Sequence, residues 1–75
     1  MTNADRRFII ELRAPTSKFR VVGVDTFDGD DWVVGDYPTL DEAKAVVRDQ
    51  TKGKEMLKMH VYDEDGRHLF DAGVF

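Results

Sequence analysis

The stretch TLDEAKAVVRDQTKG, residues 39–53, decides the fold because it carries the signals of a single short helix. Thr39 and Glu42 have the spacing of a capping box, in which the Thr hydroxyl accepts from the Glu backbone amide and the Glu side chain reaches back. The apolar residues recur at helical spacing: Leu40, Ala43, Val46 and Val47. Gly53 offers a left-handed cap. We therefore predict a helix that begins at Leu40 and ends near residue 52.

On both sides of this helix, alternating apolar and polar residues predict strands. The predicted strands cover residues 8–13, 19–26, 32–36, 57–62 and 67–71. Turn residues with a glycine suited to positive φ separate two pairs of them. The fold class predicted is α+β, a single mostly antiparallel five-stranded sheet with one helix in the order βββαββ. The strand at 19–26 is apolar on both faces and is expected to be central. The rest of the strand order stays open.

Length and composition limit the chain to one small domain. Its 75 residues cannot form a second core, so we predict a single domain, residues 1–75, in which residues 1–7 are a flexible N-terminal segment. There is no cysteine for a disulfide, which leaves packing or self-association as the sources of stability. No signal peptide or membrane span is indicated, and a cytoplasmic location is expected.

The net charge of −4 is distributed unevenly along the chain. Residues 25–42 hold seven acidic residues, no Lys or Arg, and the single tryptophan, Trp32. Turn and helix-start chemistry explains most of these carboxylates. What remains is Trp32, whose position on one or the other face of the sheet depends on one residue of register.

A single helix cannot cover a five-stranded sheet. A helix about 10 to 12 Å wide spans about two strands spaced about 4.8 Å apart. The candidate interaction surface on the uncovered face consists of Val22, Val24, Trp32, Val33, Tyr62 and Phe70. A strongly coiled sheet with scattered aliphatic residues is the alternative. We expect a non-enzymatic module that acts by protein–protein association, either with an unknown protein or with itself as a homodimer through this face.

Nucleic-acid binding is the competing hypothesis. Lys44, Arg48 and Lys52 are spaced by four and predict a basic ridge on the helix, to which the basic N-terminal strands add charge. The acidic net charge argues against this function. The lone Ser17 lies in a turn and the carboxylates sit in turns, so the pattern does not indicate an enzyme.

The two histidines of the last predicted hairpin form the remaining candidate site. A three-residue loop closed by Gly66 places His68 opposite Tyr62 and His60 diagonal to it, about 7 to 8 Å away. A two-residue loop instead places His60 opposite Asp71. A transition metal needs more ligands than this pair supplies, so we predict no metal and no cofactor.

Overall fold

The computed structural model describes residues 11–27, 29–54 and 56–73. The elements are β1 (Phe19–Asp25), β2 (Asp31–Tyr37), α1 (Leu40–Thr51), β3 (Leu57–Tyr62) and β4 (His68–Gly73). The four strands form one sheet in the order β2-β1-β3-β4, and each neighbouring pair is antiparallel. The described chain is therefore an α+β fold with the order ββαββ.

The predicted five-stranded sheet is wrong, because the sheet of the described residues has four strands. Of the expected strand at 8–13, residues 8–10 lie outside the described part, as does the expected flexible segment 1–7, and residues 11–13 are not in a strand. The Glu11 carboxylate accepts from the Arg13 amide at 2.9 Å and from its guanidinium at 3.0 Å. Such local hydrogen bonds compete with strand pairing. They also hold the pKa of the exposed Glu11 carboxyl at about 2.

The helix agrees with its prediction at both ends. It begins at Leu40, and the Glu42 amide donates to the Thr39 hydroxyl at 3.1 Å, as a capping box requires. Gly53 follows the helix with φ +70°, the left-handed conformation that glycine adopts without strain. No helix among the described residues combines the length and the apolar character needed to cross a membrane.

One face of the sheet packs against α1 and forms the core. Val21, Val47 and Val61 are fully buried there, together with Ala43 and Met59. These residues come from α1 and from β1 and β3, the two inner strands of the sheet. The expectation that the strand near residues 19–26 is central is confirmed, and the open choice of strand order is resolved with β3 antiparallel to β1.

Both edge strands carry a β-bulge. In β2, Val34 is the extra residue, because Val21 pairs with Gly35 whereas Val22 pairs with Val33. In β4, Leu69 is the extra residue between Phe70, which pairs with Val61, and His68, which pairs with Tyr62. A bulge places two residues opposite one and shifts the face on which the following side chains lie. The two bulges therefore determine which polar side chains reach the helix-free face.

Candidate functional site

The candidate site is the face of the sheet opposite α1, here called the helix-free face. No described helix or strand lies on it. The structure places four of the six predicted interaction residues there: Val22, Val24, Val33 and Tyr62. Val22 and Val33 pair across β1 and β2, with 2% and 40% of their surfaces exposed. This face therefore carries neighbouring apolar side chains, of which Val22 is buried and Val33 is exposed.

Trp32 lies on the helix side of the sheet. It pairs with Gly23, which pairs on its other side with the core residue Met59, and directly paired residues project to the same face. The indole rests over Gly23, where a β-carbon would come within 2.6 Å of the ring. Trp32 remains 39% exposed, so it is not part of the buried core.

Phe70, the other predicted interaction residue, also lies on the helix side and packs against the core. The Lys44 Nζ and the Arg48 Cζ sit over its ring, 5.3 Å and 5.2 Å from the centroid. These are cation–π distances. Lys52 is the C-cap residue with extended backbone, so it does not continue the helical ridge. The predicted basic ridge is thus reduced to two cations that contact an aromatic ring of their own chain.

An ion pair occupies one corner of the helix-free face, where β1 begins and β2 ends. Arg20 donates to both carboxylate oxygens of Asp36, from Nε at 2.7 Å and from Nη2 at 3.0 Å. The two side chains are 16% and 27% exposed. Arg20 Nη1 also donates to the Glu11 carbonyl at 2.8 Å. The hydrogen bond to Asp36 raises the pKa of Arg20, so this guanidinium is a fixed charge.

We expect Asp36→Asn to lower the free energy of unfolding by about 1 to 2 kcal/mol, because it removes one charge of a partly buried bidentate pair. The pair of Arg67 with Asp65 provides the matched control, since its side chains are 75% and 64% exposed. Asp65→Asn is expected to change stability by less than about 0.5 kcal/mol. Urea denaturation of the three proteins measures both values. Equal losses in the two variants would contradict the role given to Asp36.

The β3–β4 edge of the helix-free face holds the histidines, His60 within β3 and His68 at the start of β4. His60 pairs with Asp71 and Tyr62 with His68, so the bulge at Leu69 combines both pairings between which the sequence left a choice. His60 Nδ1 lies 3.0 Å from His68 Nε2, which lies 3.1 Å from Asp71 Oδ2. The sequence indicated the histidine pair but not Asp71 as a third member, because nothing in it marks the bulge that combines the two pairings.

The surroundings of His60 favour its neutral form. Burial lowers the pKa of His60 below its ordinary value, and the neighbouring His68 lowers it further. Lys58 Nζ lies 3.4 Å from Asp71 Oδ1, on the carboxylate oxygen that does not face His68. The β3–β4 edge of this face therefore presents two imidazoles and one carboxylate beside a lysine.

Outside the strands, the acidic stretch at residues 25–42 forms the turn before β2 and the start of α1 where it is described. The Asp25 carboxylate accepts from the Phe27 amide at 2.9 Å, and the Asp25 carbonyl accepts from the Gly29 amide at 2.6 Å. Gly29 has φ +78°, as the turn requires. Asp28 lies outside the described residues. The stretch is thus used mainly for local structure.

An open depression of about 370 Å³ lies beside the start of β1 and is lined in part by Glu11, Arg13, Arg20 and Glu64. Its charged groups already have partners. Arg13 pairs with Glu11, and the Glu64 carboxylate accepts from the Ser17 amide at 3.2 Å. The depression therefore does not offer a free acid and base facing each other.

Compared with known protein families, with curated proteins and with solved structures, the chain shows no match. Function is therefore argued from the geometry of the helix-free face.

Proposed function

We propose that this chain is a small non-enzymatic association module whose helix-free face binds a second copy of the chain, forming a weak homodimer. The observation that carries the proposal is the one-sided placement of α1, which leaves Val33 40% exposed beside the buried Val22. Apolar side chains that are contiguous on a sheet face are typical of association surfaces. A second copy offers a surface of the same shape and polarity.

The charges of the face suit a self-complementary contact. Arg20 and Asp36 occupy one corner, while Lys58 and Asp71 occupy the diagonally opposite corner. A two-fold axis along the diagonal that joins the remaining two corners would place the Arg20–Asp36 pair of one copy over the Lys58–Asp71 pair of its partner. Each positive charge would then have a carboxylate of the other copy within reach. Isologous dimers use one patch in this way on both subunits.

The edges of the sheet are less suited to association with a second copy than its helix-free face is. Both edge strands, β2 and β4, contain a bulge, at Val34 and at Leu69. Bulges twist an edge and interrupt its row of backbone donors and acceptors, which discourages the addition of another strand. Association is therefore expected through the face and not through edge-to-edge extension.

The size of the face sets the strength of the dimer. Four strands about 4.8 Å apart, each six or seven residues long at about 3.3 Å per residue, cover roughly 400 Å² per copy. The area of the two copies together is at the low end of the range for protein–protein interfaces. Complexes with interfaces of this size are weak and transient. We expect a dissociation constant on the order of 100 µM.

Sedimentation equilibrium of the full chain tests this proposal. Over a range from about 10 µM to about 1 mM, the apparent mass should rise from monomer towards dimer, because the expected dissociation constant lies within that range. A strict monomer throughout the range would contradict the proposal. Growth beyond dimer would also contradict it, since an isologous contact closes at two copies.

A further inference from the structure

We propose that His60, His68 and Asp71 bind one divalent transition-metal ion of the Zn²⁺ and Ni²⁺ class. Each residue offers one ligand atom, and the three atoms lie within 4.8 Å of one another. They come from two adjacent strands of a single copy, β3 and β4. The site is therefore complete within one chain: it lies on the face proposed for the homodimer but needs no residue of the second copy.

The spacing of the ligand atoms matches a shared ion. Zinc lies about 2.0 to 2.2 Å from nitrogen and oxygen ligands, so two ligands of one ion are about 3 to 3.5 Å apart. His60 Nδ1 and His68 Nε2 are 3.0 Å apart, and His68 Nε2 and Asp71 Oδ2 are 3.1 Å apart. The remaining pair closes by rotation of side chains that are partly exposed.

Hydrogen bonds among the three side chains do not satisfy all three ligand atoms well. His68 Nε2 carries at most one proton, yet it lies about equally close to a nitrogen of His60 and to an oxygen of Asp71. One proton on Nε2 can point well at only one of these two atoms. A metal ion instead accepts a lone pair from all three atoms at the same time.

The surroundings orient the ligands and leave room for water. Lys58 Nζ lies 3.4 Å from Asp71 Oδ1, which leaves Oδ2 directed at the imidazoles. The Tyr62 ring stands edge-on to the His68 ring at 5.5 Å. The His68 and Asp71 side chains are 41% and 36% exposed, so solvent reaches the open coordination positions. Two imidazoles favour zinc, nickel or copper over the oxygen-preferring Mg²⁺ and Ca²⁺.

Titration of the untagged full chain with Zn²⁺ tests the site. Imidazole nitrogen spectra should show His60 Nδ1 and His68 Nε2 shifting together, with calorimetry giving one ion per chain. These are the two histidines of the sequence, so both rings can be assigned directly. Mg²⁺ at the same concentration should leave the spectrum unchanged. Imidazole resonances that do not respond to Zn²⁺ would overturn the proposal.

Two variants locate the ion. Asp71→Asn and His68→Gln should each weaken Zn²⁺ binding by at least about tenfold, because each removes one of three ligands. Both positions are exposed, and amide spectra verify that the variants fold. Asp49→Asn on the exposed side of α1 is the matched control and should bind Zn²⁺ like the parent chain. Binding by Asp71→Asn that equals the parent would place the ion elsewhere and overturn the site.

Discussion

Val33→Lys is expected to abolish self-association while leaving the fold intact. Val33 is 40% exposed in the single copy, so a lysine at this position reaches water without disturbing the core. In the proposed dimer the same ammonium would lie between two sheet faces beside Val22, where a desolvated and unpaired charge is strongly unfavourable. We expect the dissociation constant to rise at least about thirtyfold, equivalent to about 2 kcal/mol.

Ala45→Lys is the matched control, since it adds the same charge on an exposed position of α1, away from the helix-free face. Sedimentation equilibrium of both variants should show a monomer for Val33→Lys and a parent-like dimer for Ala45→Lys. Val33→Leu keeps an apolar side chain and should retain the dimer. If the two lysine variants dimerise equally well, the contact surface lies elsewhere.

Gly23→Ala is expected to lower the free energy of unfolding by about 1 to 3 kcal/mol, because the new methyl group overlaps a packed side chain. A β-carbon at Gly23 would lie 2.6 Å from two carbons of the Trp32 ring. The indole must therefore leave its place over the sheet. Trp32 is the only tryptophan, so its fluorescence should shift to the red as the ring enters water.

The second half of this experiment separates ring displacement from general strain in β1. In a Trp32→Ala background the overlap disappears, and Gly23→Ala should become stabilising by about 0.5 to 1 kcal/mol, because glycine weakens a strand interior. Urea denaturation of the four proteins in this double-mutant cycle gives the coupling. The same cost of Gly23→Ala in both backgrounds would contradict the packing of Trp32 over Gly23.

The parts of the fold that could be predicted are those set by neighbours in sequence. The start of α1 depends on Thr39 and Glu42, three residues apart, and both predicted hairpin glycines, Gly29 and Gly66, adopt positive φ. Caps and turns satisfy backbone groups locally, so their residue types identify them. The sequence therefore predicted the helix to the residue at its start.

The parts that could not be predicted depend on pairing between distant strands. The bulges at Val34 and Leu69 change the register by one residue, and no local pattern distinguishes either residue from its strand neighbours. The bulge at Leu69 brings Asp71 and His68 to one face. The described part of the expected strand at 8–13, residues 11–13, is not a strand for a different reason: its alternation is present in the sequence, but Glu11 bonds locally. The alternation of apolar and polar residues gives no information about local hydrogen bonds that compete with strand pairing.

The central claim is that the helix-free face binds a second copy, and isotope-filtered NMR tests it most directly. A sample mixing ¹³C-labelled and unlabelled chains near 1 mM is above the expected dissociation constant, which is on the order of 100 µM. Intermolecular NOEs should connect the methyl groups of Val22, Val24 and Val33 to this same face of the partner copy. The absence of such NOEs, or NOEs that involve Ala45 on the outer side of α1, would contradict the claim.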